Sequence, residues 1–235
     1  MSRKKPLENR ISKGIHFFTP EVYEDSGKLS FTYRLLSDKE LLSIEELFDD
    51  NRRNEVVYRT LQFSLIRIEN IFGEEVHTND VPFLILEELV NKIVEESVLS
   101  SEEADTIMTS LDIHFEDEFK SDTWSCETCR RKGLDKFRNC GYLDYKNNKE
   151  YYSPDFKLYV GANVYTHCPI FDIDSDLLGI AIQCYNIKEA GFLPDSGGYY
   201  DQTRIFRILS TIVTNKVAEQ EKKQLEEMKK KMKNK

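Results

Sequence analysis

The chain has 235 residues, of which 40 % are hydrophobic and 32 % are charged, and its formal net charge is −9. These values are typical of a folded protein and exclude a disordered chain, and no apolar run approaches the roughly 18 to 20 residues that a membrane-spanning helix needs. The N-terminus lacks the hydrophobic segment of a signal peptide. We therefore expect a soluble, intracellular protein with no membrane partner.

Positive charge is concentrated at the two ends of the chain. Residues 1–14 carry five basic side chains against one glutamate, and residues 215–235 carry eight lysines against four glutamates. The middle of the chain is therefore strongly acidic, which disfavours a broad nucleic-acid-binding surface. We predict a flexible basic arm at 1–14 and a charged helical tail at 215–235.

Residues 15–112 show the pattern of a β-hairpin followed by a small helical bundle. Polar and apolar residues alternate at 29–35, which predicts a strand that pairs with residues 15–18. Ser37 and Glu40 have the spacing of a capping box, so we expect a helix to begin there. Apolar residues at helical spacing predict further helices at 55–72, from about 80 and, as a short helix, from 100.

Four of the five cysteines follow at a spacing typical of metal ligands. Cys126 and Cys129 form a C-x2-C pair in a predicted tight turn; ten residues separate Cys129 from Cys140, and 27 separate Cys140 from Cys168. Zinc prefers soft sulfur ligands and a closed tetrahedral shell in structural sites. We therefore predict a zinc site formed by Cys126, Cys129, Cys140 and Cys168. Because four thiolates leave no open coordination position, this zinc would be structural rather than catalytic.

Three other features near the cysteines or after them are considered as candidate sites. His167 is an alternative to Cys168 as the fourth ligand, and adjacent residues of an extended segment point to opposite sides, so only one of them would bind. Cys184 lies in an apolar helical stretch and is interpreted as a buried thiol. The aspartates at 172–176 lack the glycine and glutamate of a calcium loop, so we expect helix capping instead.

The remaining sequence completes an α+β, mostly α prediction. A hairpin is expected at 157–165, and helices at about 174–190 and from about 203 to the end. No P-loop, G-x-S-x-G or H-E-x-x-H motif occurs, so we do not expect an enzyme. The predicted organisation is a basic arm (1–14), a hairpin and helical module (15–112), a zinc-ribbon-like module (113–170), a helical region (171–214) and a long C-terminal helix ending in the charged tail (215–235).

Three segments resemble proteins of one functional class. Residues 126–140, followed by Cys168-Pro169, are similar to cysteine clusters in small tail-region proteins of tailed bacteriophages. Residues 193–202 resemble the stretch "LP, small residue, GG, then DQ" that those proteins carry before a terminal helix, and residues 33–40 resemble the opening of phage tail or baseplate assembly proteins. The resemblance implies a non-enzymatic assembly chaperone or virion structural protein of the tail or baseplate.

The same resemblance implies a location and a set of partners. The protein would act in the cytoplasm of the host cell and, if it stays in the particle, in the virion tail. Its partners would be tape-measure or other tail proteins, with a second copy of the chain as a further option.

A zinc-ribbon regulator that binds nucleic acid is the competing interpretation. Basic side chains near the cysteines could contact phosphate, or could instead neutralise the negative charge of a four-thiolate zinc centre. These side chains are Arg130, Arg131, Lys132, Lys136 and Arg138. The acidic middle of the chain makes the protein-binding interpretation the stronger one.

Overall fold

The computed structural model describes residues 7–20, 29–49, 52–121, 124–138, 157–160, 163–166 and 168–233. The fold is mostly helical, with a three-stranded antiparallel sheet near the N-terminus and a long C-terminal helix. The chain divides into two compact units: Met1–Ser100 with Ile180–Thr211, and Ser101–Gly179 with Ile212–Lys235. In the part of the chain that is described, no helix combines the length and apolar character needed to cross a membrane.

The sheet of the first unit has the strand order β1-β2-β3, formed by His16–Phe18, Ser30–Tyr33 and Leu65–Glu69. The predicted hairpin of β1 and β2 is confirmed, and the segment that joins the two strands, 21–28, lies outside the described residues. Side chains alternate as a pleated strand requires, because Phe31 and Tyr33 of β2 are fully buried on one face.

The third strand replaces the second half of a predicted helix. Residues 55–72 were expected to form one helix, but helix α2 spans Arg53–Ser64 and β3 follows it directly. The prediction was wrong because Leu65 and Ile68 have helical spacing, whereas Ile66 and Ile68 have the two-residue spacing of a strand. Pairing decides between them: Ile68 lies opposite Phe31 of β2 and is buried there, where a β-branched side chain packs well.

Helices α1 (Asp38–Asp49) and α3 (Phe83–Ser97) belong to the first unit together with α2. The capping box at the start of α1 is confirmed, because Ser37 N donates to a Glu40 carboxylate oxygen at 2.8 Å and Glu40 N donates to Ser37 Oγ at 3.3 Å. Apolar side chains of these helices and of the sheet form the core. Its most deeply buried members include Phe31, Leu35, Leu36, Leu41, Ile44, Leu86, Leu89 and Ile93.

The second unit contains helix α4 (Ser101–Phe115), several short elements and the second half of the long C-terminal helix. Helix α4 is longer than the short helix expected from the sequence. Two short helices follow, α5 (Cys126–Arg131) and α6 (Leu134–Phe137). Strands β4 (Leu158–Val160) and β5 (Asn163–Tyr165) pair antiparallel, which confirms the second predicted hairpin.

The last two helices, α7 (Ser175–Glu189) and α8 (Arg204–Lys233), confirm the helices predicted for the end of the chain. The carboxylate of Asp174 accepts hydrogen bonds from the backbone N–H groups of Asp176 and Leu177, at 3.0 and 2.9 Å. This is N-capping, as expected for these aspartates.

Candidate functional site

The C-x2-C pair begins a helix rather than forming a tight turn. Cys126 is the first residue of α5 and Cys129 lies three residues later, so both side chains project from the same side of the helix. The signal for the helix is Ser125, whose side chain accepts a hydrogen bond from Thr128 N at 3.2 Å. A serine before the first helical residue favours a helix start in this way.

Arg138 connects the cysteine pair to an aromatic cluster. Its guanidinium lies over the Trp124 ring, 3.7 Å from the ring centroid, and its Nη1 atom donates to Cys129 Sγ at 3.4 Å. Cys129 is buried, whereas Cys126 is half-buried. A guanidinium beside a sulfur atom stabilises negative charge on that atom, and a sulfur that binds metal carries such charge. Arg138 therefore links Cys129 of the pair to the Trp124 ring.

Cys168 packs against the same cluster. Ile113, Phe119 and Trp124 are its buried members, and Cys168 is one of the half-buried residues in contact with it. The Phe119 ring meets the Trp124 ring edge-on, with centroids 4.9 Å apart, and meets the Tyr165 ring at 5.7 Å. The fold therefore brings Cys168 to the cluster that contains Trp124, two residues before the cysteine pair.

The described residues do not complete a metal centre. Across the described ranges of the chain, no group of three or more His, Cys, Asp or Glu side chains is arranged to hold a metal ion. Cys140 and the alternative ligand His167 lie outside these ranges. The zinc site therefore stays a prediction, with Cys126, Cys129 and Cys168 all in the second unit.

Cys184 has a different environment from these cysteines. Its side chain is fully buried in α7, and this burial raises the pKa of the thiol to about 12. A thiol with so high a pKa stays protonated near neutral pH and is a poor nucleophile. The interpretation of Cys184 as a buried thiol is confirmed.

The LP…GG…DQ segment forms a closed loop before α8. The Gln202 side chain is fully buried, donates to the carbonyl oxygens of Asp195 and Gly198 at 2.9 and 3.1 Å, and accepts from Asp195 N at 2.8 Å. The Asp201 carboxylate accepts from Gly198 N at 2.8 Å. Gly197 has φ +108°, and a Cβ there would lie 2.8 Å from the Asp201 carboxylate, so the loop requires glycine at this position.

This loop also holds the N-terminal segment, which was predicted to be a flexible arm. The Asp195 carboxylate accepts a hydrogen bond from Lys13 N at 3.0 Å. Leu7 is buried, and Arg10 is fully buried with its Nε atom donating to the carbonyl oxygen of Glu96 at 2.9 Å. For residues 7–13 the prediction of a flexible arm was wrong. A segment without apolar periodicity can still be held in place by hydrogen bonds to distant residues. Residues 1–6 lie outside the described part of the chain.

A buried polar cluster in the first unit was not predicted from the sequence. Glu96 is fully buried, accepts from the Tyr33 hydroxyl at 2.7 Å and lies 3.2 Å from Lys92 Nζ. The His16 ring stacks on the Tyr33 ring, and its Nδ1 atom lies 3.9 Å from the Glu96 carboxylate. Burial and the hydrogen bond to Glu96 raise the pKa of Tyr33 far above its usual value. The spacing of Lys92 and Glu96 on a buried helix face is the one signal in the sequence.

The second half of α8 presents an apolar surface. Leu225, Met228 and Met232, here called the terminal seam, are 49, 53 and 70 % exposed and lie on one side of the helix. A groove of about 590 Å³ adjoins the part of α8 that precedes the seam. It is lined by Val217, Gln220, Glu221 and Gln224 of α8 and by other residues of the second unit that include Phe119, Ile170 and Ile173.

Comparison with known proteins identified no relative: no family model, curated protein or solved structure matches the chain. Function is therefore inferred from the residues of the chain and from the resemblance of its three short segments.

Proposed function

We propose that the protein is a non-enzymatic adaptor in tail or baseplate assembly of a tailed bacteriophage, acting through protein–protein contacts. The observation that carries this proposal is the terminal seam, because an apolar stripe on an exposed helix is suited to pairing with another helix. The phage context is supported by the resemblance of residues 126–140 and 193–202 to tail-region proteins. The partners would be tape-measure or other tail proteins, in the host cytoplasm and, if the chain stays in the particle, in the virion tail.

We further propose that a structural zinc, held by Cys126, Cys129, Cys140 and Cys168, stabilises the second unit. Support comes from the placement of Cys126 and Cys129 on one side of α5 and from the contact of Cys168 with the Trp124 cluster. A module with little core of its own, as predicted for residues 113–170, gains folding free energy directly from a bound metal. The zinc would thus maintain the shape of the unit to which the terminal seam belongs.

A zinc-ribbon nucleic-acid-binding regulator is the second candidate. It is favoured by basic side chains that are exposed on α5 and α6, or directly beside them: Arg130, Arg131, Lys132 and Lys136. Arg138 is less suited to bind phosphate, because it stacks on Trp124 and donates to Cys129. The acidic net charge of the chain also opposes binding to a phosphate backbone.

The test is capture of the full-length tagged chain from host cells that are producing phage particles, with bound molecules identified by mass spectrometry. We expect tail or tape-measure proteins to be recovered, and nuclease treatment to leave them bound. Recovery of DNA or RNA instead, with binding that falls steeply as salt increases, would favour the regulator. Purified particles examined for the chain would show whether it remains in the tail.

A further inference from the structure

The terminal seam is flanked by exposed, positively charged side chains. Resting on the adaptor function proposed above, we infer that the seam binds an amphipathic helix of another protein whose flanking positions carry Asp or Glu, rather than a second copy of this chain.

The seam has the spacing of a short coiled coil. Leu225 and Met232 occupy a positions, and Met228 occupies the d position between them, with intervals of three and four residues. The preceding d position is Glu221. All residues from 221 to 232 are exposed, so this face of α8 is open to a partner helix.

The positions beside the seam are mainly positive. In a paired coil the e and g positions lie next to the partner helix and choose it by charge. Here the e positions are Lys222 and Lys229, and the g positions are Gln224 and Lys231. A partner with Glu or Asp at its own e and g positions would therefore be attracted, and a lysine-flanked helix would be repelled.

A second copy of the chain is a poor occupant for the same reason. In an antiparallel pair, Lys222 of one helix would face Lys229 of the other, because e positions meet e positions. In a parallel pair, Glu221 would face its own counterpart inside the seam. Each arrangement places like charges together at the interface, which opposes association.

The groove extends the same face of the helix toward the body of the second unit. Val217, Gln224 and Met228 follow one another at seven and four residues, so they lie on one side of α8. Val217 and Gln224 line the groove, whose other walls include Phe119 and Ile170. A helix along the seam would thus continue into the groove, a contact of about 22 Å at 1.5 Å per residue. We expect the partner to place a large apolar side chain there.

The probe is a pair of synthetic helical peptides of about 21 residues, or three heptads, with Leu and Ile at the a and d positions. The two peptides differ only at e and g, which are Glu in one and Lys in the other. Binding to the full-length chain is measured by fluorescence anisotropy at low and high salt. We expect the Glu peptide to bind at least about tenfold more tightly, with the difference shrinking as salt screens the charges.

Two matched variants distinguish the effect of charge beside the seam from the effect of the net charge of the helix. Lys222→Glu with Lys229→Glu changes the flanks and should reverse the preference toward the Lys peptide. Lys230→Glu with Lys233→Glu makes the same change in net charge at the f and b positions, away from the partner helix, and should keep the preference for the Glu peptide. Leu225→Gln with Met228→Gln should abolish binding of both peptides, while circular dichroism confirms that the helix content is retained.

Equal affinity for the two peptides, no binding of either, or a dimer of the chain in ultracentrifugation that the Glu peptide does not dissociate would each overturn the inference. Different outcomes contradict the proposed adaptor function and the proposed docking surface. If the Glu peptide binds as expected but no tail protein is captured from cells, the docking surface is supported and the function in phage assembly is contradicted. If tail proteins are captured equally by the Leu225→Gln, Met228→Gln variant, the adaptor stands and this surface is not its docking site.

Discussion

Glu40 shows how one side chain both starts a helix and makes stability depend on pH. Its carboxylate accepts hydrogen bonds from Arg34 at 2.6 and 3.0 Å and from Ser37 N at 2.8 Å. Burial alone would raise the pKa of Glu40, but the hydrogen bonds from Arg34 and Ser37 outweigh it and hold the pKa below its usual value. Ionised Glu40 therefore stabilises the fold above the pKa of the unfolded chain, and this stability is lost as pH falls through the lower pKa of the folded state.

We expect Glu40→Gln to lower the free energy of unfolding by about 1 kcal/mol near neutral pH, the usual contribution of a helix cap. The difference from wild type should shrink as pH falls below the ordinary carboxyl range, because both proteins then carry a neutral group at this position. Urea unfolding at several pH values measures this difference in the free energy of unfolding. Glu46→Gln, at an exposed position of the same helix, is the control, and a loss as large in that variant would contradict the role given to Glu40.

At the scale of secondary-structure elements, α5 is the element on which the zinc proposal depends. We expect one zinc per chain by mass spectrometry of untagged protein, lost when Cys126, Cys129, Cys140 or Cys168 is replaced by serine. Cys184→Ser is the matched control and should retain the zinc, because that thiol is buried in α7 and its pKa is raised to about 12. Protein that contains no metal would refute the site, and loss of zinc with His167→Ala but not with Cys168→Ser would exchange the fourth ligand.

Elements with local signals were predictable, and those that depend on distant partners were not. The capping box at Ser37 and the alternation in β2 each depend on residues a few positions apart, and both were confirmed. Strand β3 was missed because its pairing with β2 involves residues more than 30 positions apart. The cluster around Glu96 was missed for the same reason, since Tyr33 is 63 positions away and Arg10 is 86. For the candidate metal site, spacing predicts four ligands, and this stays a prediction, whereas the contacts of Arg138 with Trp124 and Cys129 are visible only in the fold.

At the scale of the whole molecule, each unit has a hydrophobic cluster of its own. The cluster of the first unit runs from Phe18 to Ile93, and that of the second contains Ile113, Phe119 and Trp124. Trp124 is the single tryptophan of the chain. Its fluorescence therefore reports on the second unit, whereas far-ultraviolet circular dichroism reports on the helices of both units.

We expect thermal unfolding followed by Trp124 fluorescence to shift to lower temperature when a chelator is added, because the proposed zinc contributes folding free energy to the unit that contains this tryptophan. Circular dichroism should then show a separate later transition that the chelator leaves unchanged, from helices packed on the first cluster. Cys184→Ser should respond to the chelator as wild type does, and Cys129→Ser should unfold early without it. Coincident transitions by both probes, shifted together by the chelator, would instead mean that the two units unfold as one cooperative body.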